Sequence, residues 1–213
     1  MTTASTTALR KLEPGTSGWT ASDLDDSRIA EQWDRGRFEI INGILKKMPP
    51  ADFDHGAVVF ELLTVARQHL RVIGTPSRVS VEVDLIVDED DVLRVDGMLI
   101  TEPEVTAQKR VLIELNRDHG KLGRIRVAPK LVIESVSLGH ERHDRLTKRR
   151  IYAGFGIPNY WIVDAVRRSL ECLVLDGQTY RTDATGKGDD HVQIPSFGGL
   201  TIALRDVWGA DIT

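Results

Sequence analysis

Cysteine is nearly absent from this chain, and long apolar runs are absent altogether. Cys172 is the single cysteine among 213 residues, so no disulfide can form within the chain. We therefore predict a reducing, cytoplasmic location, with Cys172 as a small core residue. No stretch of about 18 apolar residues is present, which argues against a membrane-spanning helix. The N-terminal sequence MTTASTTALRKLEPG also lacks the apolar segment of a signal peptide.

A basic excess is also missing. The formal net charge is −4, so loose nucleic-acid binding through an overall positive charge is excluded, and any such binding needs a local basic patch. Hydrophobic residues make up 41% and charged residues 28% of the chain, as in ordinary globular proteins. We predict a flexible tail over residues 1–18, which are rich in Thr, Ser and Gly, and one domain over residues 19–213.

The order of predicted elements indicates an α/β fold with one mixed sheet flanked by helices. RFEIINGILKKMPP predicts an N-terminal β-hairpin, because Asn42-Gly43 is a preferred two-residue turn between two apolar strands. The sequence from His55 to Gly74 has the broad apolar stripe of a helix and ends at a glycine. Further strands are predicted in VSVEVDLIVD, VLRVDGMLI, LVIESV, NYWIVD, LECLVLD and GGLTIAL, and another helix in ERHDRLTKRRIYAGF. Residues 101–128 carry no clear helix or strand pattern.

Two acidic residues lie in short apolar strands, namely Asp96 in RVDGMLI and Glu134 in PKLVIESVS. A carboxylate buried without a partner costs several kcal/mol, so such acids are usually paired or bound to a metal. If the two strands are neighbours, the two carboxylates can converge on one ion, and their hard oxygens suit Mg²⁺ or Mn²⁺. Two simpler interpretations stay open: Asp96 as a turn or edge-strand acid, and Glu134 as a strand-end salt-bridge partner.

A third acid belongs to the same pattern. If the acidic turn is centred on residue 90, Asp84 lies directly across from Asp96 on the neighbouring strand. Two opposed acids repel each other unless a cation lies between them or one takes a proton. A register error of one residue would remove this pairing.

The helix after LVIESV presents Asp144, Lys148 and Tyr152 at i, i+4, i+8, and therefore on one face. A lysine near the end of that strand could orient an attacking water and stabilise negative charge in a phosphoryl transition state. The alternative is a solvent-facing ion pair. Three arginines on the same helix indicate a phosphate-binding surface or, alternatively, an ordinary solvated face: Arg145, Arg149 and Arg150.

Histidines offer a weaker metal hypothesis. His140 and His143 lack the i, i+4 spacing and the third ligand that a zinc site usually has. His55 begins its predicted helix, where it is expected to hydrogen-bond the helix end or to support the acidic site.

At these residues the chain resembles the Uma2 family, also called DUF820, a set of restriction-endonuclease-like proteins in the PD-(D/E)XK nuclease superfamily. The resemblance runs from about Arg37 to Trp208. The family's Y-E-L-I-D-G-E-L is similar to FEIINGIL, its P-D-V to VDG at residues 95–97, and its P-D-L-V-V-E-V-L-S to PKLVIESVS. Its D-x-x-x-K-x-x-x-Y-x-x-A-G-V-x-E-Y-W-L-V-D is similar to residues 144–164, where YAGFGIPNYWIVD is nearly intact.

The resemblance implies a restriction-endonuclease-like sheet core with Mg²⁺ or Mn²⁺ bound by Asp96 and Glu134, and with Lys148 as the catalytic lysine. Glu39 and His55 fall on further family positions that support the site. It also implies a DNA substrate and, since nuclease relatives often act in pairs, a homodimer.

Two positions depart from the pattern. Val95 replaces the proline before Asp96, and Val136 stands where the superfamily usually has its lysine, so that Lys148 supplies the lysine from the helix. The leading interpretation is an Mg²⁺-dependent endonuclease that hydrolyses DNA phosphodiester bonds. Two alternatives stay open: a catalytically silent nuclease-fold module that binds nucleic acid or a partner protein, and an acid-rich metal site that acts on RNA or a nucleotide.

Overall fold

A computed structural model describes residues 10–49, 53–117, 122–136 and 143–208 of the chain, except for the side chains of residues 143–145. The α-helices in these ranges are α1 Ser27–Arg35, α2 Phe53–Val72, α3 Glu102–Glu114 and α4 Arg149–Phe155. The strands are β1 Phe38–Ile41, β2 Ile44–Lys47, β3 Ser77–Ile86, β4 Val92–Thr101, β5 Leu131–Ser135, β6 Asn159–Asp164, β7 Ser169–Asp176, β8 Thr179–Lys187, β9 His191–Ile194 and β10 Leu200–Ala203. Short 3₁₀ turns lie at Ala21–Asp25, Pro195–Phe197 and Leu204–Asp206, and a π-helical segment at His143–Lys148 leads into α4.

The chain divides into two compact units, of which the smaller comprises residues 1–50 and 86–94. In this unit β1 and β2 form an antiparallel hairpin, so the predicted hairpin is confirmed. Its turn residues Asn42 and Gly43 both have positive φ, at 50° and 69°. This backbone suits a two-residue turn whose twist matches that of the flanking strands. Ile40 of β1 also pairs with Val92 at the start of β4.

Residues 10–19 run beside this hairpin. The Gly15 amide donates to the Leu45 carbonyl at 2.8 Å, and the Trp19 amide donates to the Gly43 carbonyl at 3.0 Å. The Arg10 guanidinium lies 3.5 Å from the centre of the Trp19 ring. Residues 10–18 of the predicted flexible tail are therefore tied to the hairpin, and residues 1–9 lie outside the described residues.

The larger unit, residues 51–85 and 95–213, is built on a sheet with the strand order β4-β5-β6-β7-β8, and β3 also pairs with β4. Strands β5 and β6 are parallel, whereas β4–β5, β6–β7 and β7–β8 are antiparallel. The predicted α/β class with a mixed sheet is confirmed. Strands β9 and β10 form a separate two-stranded sheet. Strands β8 and β9 were not predicted from the sequence.

Helix α2 covers one face of this sheet. Buried Val59 and Leu63 belong to the same apolar cluster as Ile133 and Trp161. Gly97 allows the close approach of the helix, since a Cβ atom at this position would lie 2.6 Å from Cγ1 of Val59. Among the described residues, no helix is both long and apolar enough to cross a membrane.

Cys172 lies in the same apolar cluster, opposite Trp161 across β6 and β7. Its burial raises the pKa of the thiol well above its usual value. A thiol with a raised pKa has little thiolate and is therefore a poor nucleophile. The prediction of a small core residue is confirmed.

Helix α3 occupies half of the stretch 101–128, for which the sequence carried no clear pattern. Thr101 and Glu104 form a capping box at its start, which is a signal that the sequence does contain. The buried side chain of Gln108 binds three main-chain atoms of residues 122–126, each at 2.9 Å. This amide thereby attaches the segment after α3 to the helix.

Candidate functional site

Strands β4 and β5 bring Asp96 and Glu134 side by side. Their register is defined by the antiparallel pairs Leu99–Leu131, Met98–Val132 and Gly97–Ile133. One step further in this register, Asp96 lies opposite Glu134, and directly opposed residues share a face of the sheet. Because successive side chains alternate and Gly97 and Ile133 face α2, both acids point to the other face.

Asp96 is half-buried and oriented by the neighbouring strand. Its Oδ2 accepts a hydrogen bond from the main-chain N–H of Ser135 at 2.8 Å. Ser135 directly follows Glu134, so this bond joins the two strands at the level of the two carboxylates. Sequence reasoning did not identify Ser135, because a main-chain donor has no residue-type signal and depends only on register.

The Glu134 carboxylate is bound at both oxygens. Lys148 Nζ donates to Oε2 at 2.9 Å, and the Tyr152 hydroxyl donates to Oε1 at 2.5 Å. Glu134 and Lys148 are each 1% exposed, and Tyr152 is fully buried. Lys148 ends the π-helical segment and Tyr152 lies four residues later in α4, so both side chains extend from one side of the helix toward β5. The face predicted to be shared by Lys148 and Tyr152 is present, but it is turned to the sheet and not to solvent.

Glu134 and Lys148 form a buried ion pair, so the strand-end salt bridge considered for Glu134 exists. The mutual attraction of such a pair is largely offset by the lost hydration of both charges, whereas one partner left alone costs about 3–5 kcal/mol. An ionised carboxylate offers about four acceptor positions, which is more than these two donors use. A salt bridge and a role as a ligand are therefore compatible for this residue.

Asp84, the third predicted acid, is bound by a cation of the chain itself. Its Oδ2 lies 3.0 Å from Nε of Arg124, and its carbonyl accepts from the Ile125 amide at 2.9 Å. Asp84 thus anchors the segment that follows α3. That it also shares an ion with Asp96 stays a prediction.

Two further predicted residues belong to β1 and α2. Glu39 belongs to the smaller unit, where it is buried in β1 opposite Lys46. His55 is in the first turn of α2, one turn before Val59 on the helix that covers the opposite face of the sheet. A supporting role for either residue stays a prediction.

The basic residues of the helix have different surroundings. Arg149 is half-buried, and its guanidinium donates to the Tyr180 carbonyl at 2.6 Å. Arg150 is exposed. The side chains of Asp144, Arg145 and His143 lie outside the described residues, as does His140 altogether. Arg149 therefore has a structural bond within the protein, and Arg150 presents its charge to solvent.

The donor chemistry of the site fits a divalent cation of the Mg²⁺ or Mn²⁺ type. Asp96 and Glu134 supply hard carboxylate oxygens, which these ions prefer. Within the described ranges, no three His, Cys, Asp or Glu side chains are grouped so as to hold an ion. An ion at Asp96 and Glu134 would complete its shell with water, main-chain oxygens or phosphate, as Mg²⁺ commonly does.

Comparisons with known proteins bear on the family and on the fold. The model of the Uma2 family, described as "Putative restriction endonuclease", matches residues 26–205. The crystal structure of "a putative nuclease belonging to DUF820 from Anabaena variabilis ATCC 29413" is similar to this chain, with a TM-score of 0.61 at 17% identity over 82% of this chain and 90% of that chain. That likeness shows the fold. No match was found among curated proteins. Because the family model covers most of its length, the chain belongs to the Uma2 family.

Proposed function

We propose that this protein is an Mg²⁺- or Mn²⁺-dependent endonuclease that hydrolyses DNA phosphodiester bonds. Membership of the family and the shared fold support a restriction-endonuclease-like nuclease. One observation carries the finer proposal. Asp96 and Glu134 lie opposite each other on one face of the sheet, and the Lys148 ammonium is 2.9 Å from Glu134.

Asp96 and Glu134 would bind the ion. When bound, a divalent cation lowers the pKa of a coordinated water and polarises a phosphate oxygen. The chain orients both carboxylates beforehand, Asp96 through the Ser135 amide and Glu134 through Lys148 and Tyr152. Ligands that are held in place need little reorganisation when the ion arrives.

Lys148 would offset the negative charge that a phosphate brings to two carboxylates. Its ammonium has three N–H donors and lies 2.9 Å from Oε2 of Glu134. A fixed cation in a buried position acts through a low dielectric and stabilises developing negative charge more strongly than it does in water. We propose that the same ammonium also orients the attacking water.

Exposed Arg150, together with Arg145, is proposed to contact the phosphate backbone. Such contacts are independent of sequence and depend on salt concentration. Arg150→Ala should weaken DNA binding and make its salt dependence shallower. Arg149→Ala should mainly destabilise the protein, since it removes the bond to the Tyr180 carbonyl.

A second candidate is a catalytically silent nuclease-fold module that binds nucleic acid or a partner protein. The observation in its favour is the buried Glu134–Lys148 pair, in which a residue of the chain already neutralises the carboxylate. In this pair Lys148, and not a metal ion, balances the charge of Glu134.

Cleavage of a supercoiled plasmid with Mg²⁺ or Mn²⁺ separates the two candidates. Wild-type protein should cut, and Asp96→Asn should lower the rate by more than about 100-fold, because loss of a ligand exceeds the loss of an outer hydrogen bond. Asp189→Asn, at an exposed acid, is the matched control. Wild type that cuts neither DNA nor RNA with either ion would favour the silent module.

The same assay with RNA and single-stranded DNA defines the substrate class. RNA cleavage without DNA cleavage would replace the DNA proposal with the RNA alternative. The family resemblance also implies a homodimer, which light scattering of the purified protein tests by its mass.

A further inference from the structure

One turn of helix supplies both donors to the Glu134 carboxylate. Lys148 and Tyr152 are four residues apart, and each binds a different oxygen of that carboxylate, at 2.9 and 2.5 Å. A single donor would fix one oxygen and leave the carboxylate able to rotate about its last single bond. Two donors on two oxygens fix the plane of the group, and therefore the directions of its remaining lone pairs.

Packing fixes the Tyr152 ring itself. Tyr152 and Tyr160 meet edge to face, with ring centres 5.1 Å apart and an angle of 76°. The ring of Tyr160 lies 5.8 Å from that of Tyr180. Helix α4 ends three residues after Tyr152, where the amides of Gly156 and Ile157 both donate to the Tyr152 carbonyl at 3.1 Å. The hydroxyl is thus held in place by the ring contacts and by the helix end.

We propose that Tyr152 is a positioning residue, whose hydroxyl sets the rotation of the Glu134 carboxylate so that its remaining lone pairs are directed toward a divalent cation shared with Asp96. This inference rests on the proposed metal site. Lys148 contributes a positive charge beside Glu134, and Tyr152 contributes the orientation. Hydrogen bonds to a ligating carboxylate typically change metal affinity by about 10–100-fold.

Tyr180 provides a matched control. Its hydroxyl is also buried and donates to the Ile157 carbonyl at 2.7 Å, and burial raises the pKa of this hydroxyl. Tyr180→Phe and Tyr152→Phe each remove one oxygen atom and one buried hydrogen bond from the same aromatic cluster. They differ in that only Tyr152 contacts Glu134. A purely structural role for Tyr152 predicts that both variants behave alike.

The first experiment measures Mn²⁺ binding by isothermal titration calorimetry of the whole chain, without nucleic acid. Tyr152→Phe should raise the Kd for Mn²⁺ by about 10–100-fold, whereas Tyr180→Phe should leave it unchanged. An unchanged Kd for Tyr152→Phe, with a normal Kd for wild type, overturns the inference and leaves the proposed function standing. Wild type that does not bind Mn²⁺ overturns both.

A second experiment does not require the Tyr152→Phe protein to fold. The chain has three tyrosines, all in this cluster, so labelling with 3-fluorotyrosine gives three ¹⁹F resonances. Tyr180→Phe and Tyr160→Phe assign these resonances by elimination. Addition of Mg²⁺ should shift the Tyr152 resonance and leave that of Tyr180 in place. If Mg²⁺ binds and the Tyr152 resonance stays unmoved, the hydroxyl does not report on the ligand and the inference is wrong.

Discussion

The two faces of the sheet in the larger unit are both buried but filled by different chemistry. On the α2 face, Ile133 belongs to an apolar cluster. On the α4 face, Glu134 binds Lys148 and Tyr152. Because neighbouring residues of a strand point to opposite faces, a single step along β5 separates an apolar cluster from a buried ion pair.

This difference indicates how each face should respond to mutation. The apolar face is stabilised by contact area and close packing, so its losses scale with the volume removed. The charged face is stabilised by matching of donors, acceptors and charges, so its losses depend on whether a partner is left alone. Substitutions on the two faces test that contrast.

The largest effect is expected on the charged face. Lys148→Met should lower the free energy of unfolding by about 3–5 kcal/mol, because the Glu134 carboxylate would stay buried without its cation. Urea denaturation measures the change, and Lys187→Met, at an exposed lysine, should stay within about 0.5 kcal/mol of wild type.

The double variant Glu134→Gln/Lys148→Met sharpens this test. Removal of both charges should recover much of the stability, since neither group is then buried as an unpaired ion. A single Lys148→Met variant as stable as the Lys187→Met control would contradict the buried pair.

On the apolar face, Ile133→Ala should cost about 2–5 kcal/mol, through lost burial and the cavity left beneath α2. Its affinity for Mn²⁺, measured by calorimetry, should equal that of wild type, because residue 133 points away from the carboxylates. Ile113→Ala, at a residue 62% exposed, is the control for stability. A large change in Mn²⁺ affinity would show that the two faces are not independent.

A smaller effect is expected where the helix approaches the strand. Gly97→Ala should cost about 1–3 kcal/mol, as overpacking of a close core contact does. The new Cβ would lie 2.6 Å from Val59 Cγ1 and 3.2 Å from Leu63 Cδ1. Adding Val59→Ala should relieve part of the cost, which thermal unfolding of the double variant would reveal.

Gly154→Ala is the matched control for this prediction. Gly154 lies in α4, and nothing lies within 4 Å of a Cβ atom built there. Alanine favours helix over glycine, so this variant should be as stable as wild type or more stable. Destabilisation of both glycine variants alike would argue against the close approach of α2 as the cause.

The smallest effect is expected from an exposed ion pair, in contrast to the buried one. The hydrogen bond from the Arg28 side chain, together with the Arg28 amide, lowers the pKa of Asp26 from 3.8 to about 2. A folded-state pKa below the unfolded one stabilises the protein above the unfolded value, and this contribution is lost as the pH falls from 3.8 toward 2. Asp26→Asn keeps an N-cap residue but cannot titrate.

The melting temperature of wild type should therefore fall slightly more between pH 4 and pH 2 than that of Asp26→Asn. The difference should be small because the Arg28 side chain is exposed and that of Asp26 partly exposed, so solvent screens the pair. Identical profiles of melting temperature against pH for the two proteins would contradict a contribution of the Asp26–Arg28 pair to stability.

Local sequence signals predicted much of the fold. The Asn42-Gly43 turn, the apolar stripe of α2 and the continuous apolar run of β5 each appear as expected. Each of these features depends on residues that are close together in the chain, so the residue types and their spacing in the sequence are enough to predict it. Helix α3 was missed although Thr101 and Glu104 form a capping box, because its apolar stripe is too weak to identify a helix.

The candidate site was predicted only in part. The acids Asp96 and Glu134 could be identified because an acid in an apolar strand is unusual. The burial of Lys148 could not be predicted. Its i, i+4 spacing from Asp144 is equally consistent with an ion pair on the solvent-facing side of the helix. The ion pair between Asp84 and Arg124 was not predicted either, because the two residues are forty positions apart in the sequence.

The sequence by itself determined many of the strands and helices here, and which of the predicted strands carry an acid. Those properties follow from backbone preference and from apolar periods of two or 3.6 residues, which are local. Only the tertiary structure decided that Asp96 lies opposite Glu134, that Lys148 and Tyr152 divide the oxygens of one carboxylate, and that residue 97 lies against α2. Each of these depends on strand register and on the distance between packed elements, which are set by many contacts between residues remote in sequence.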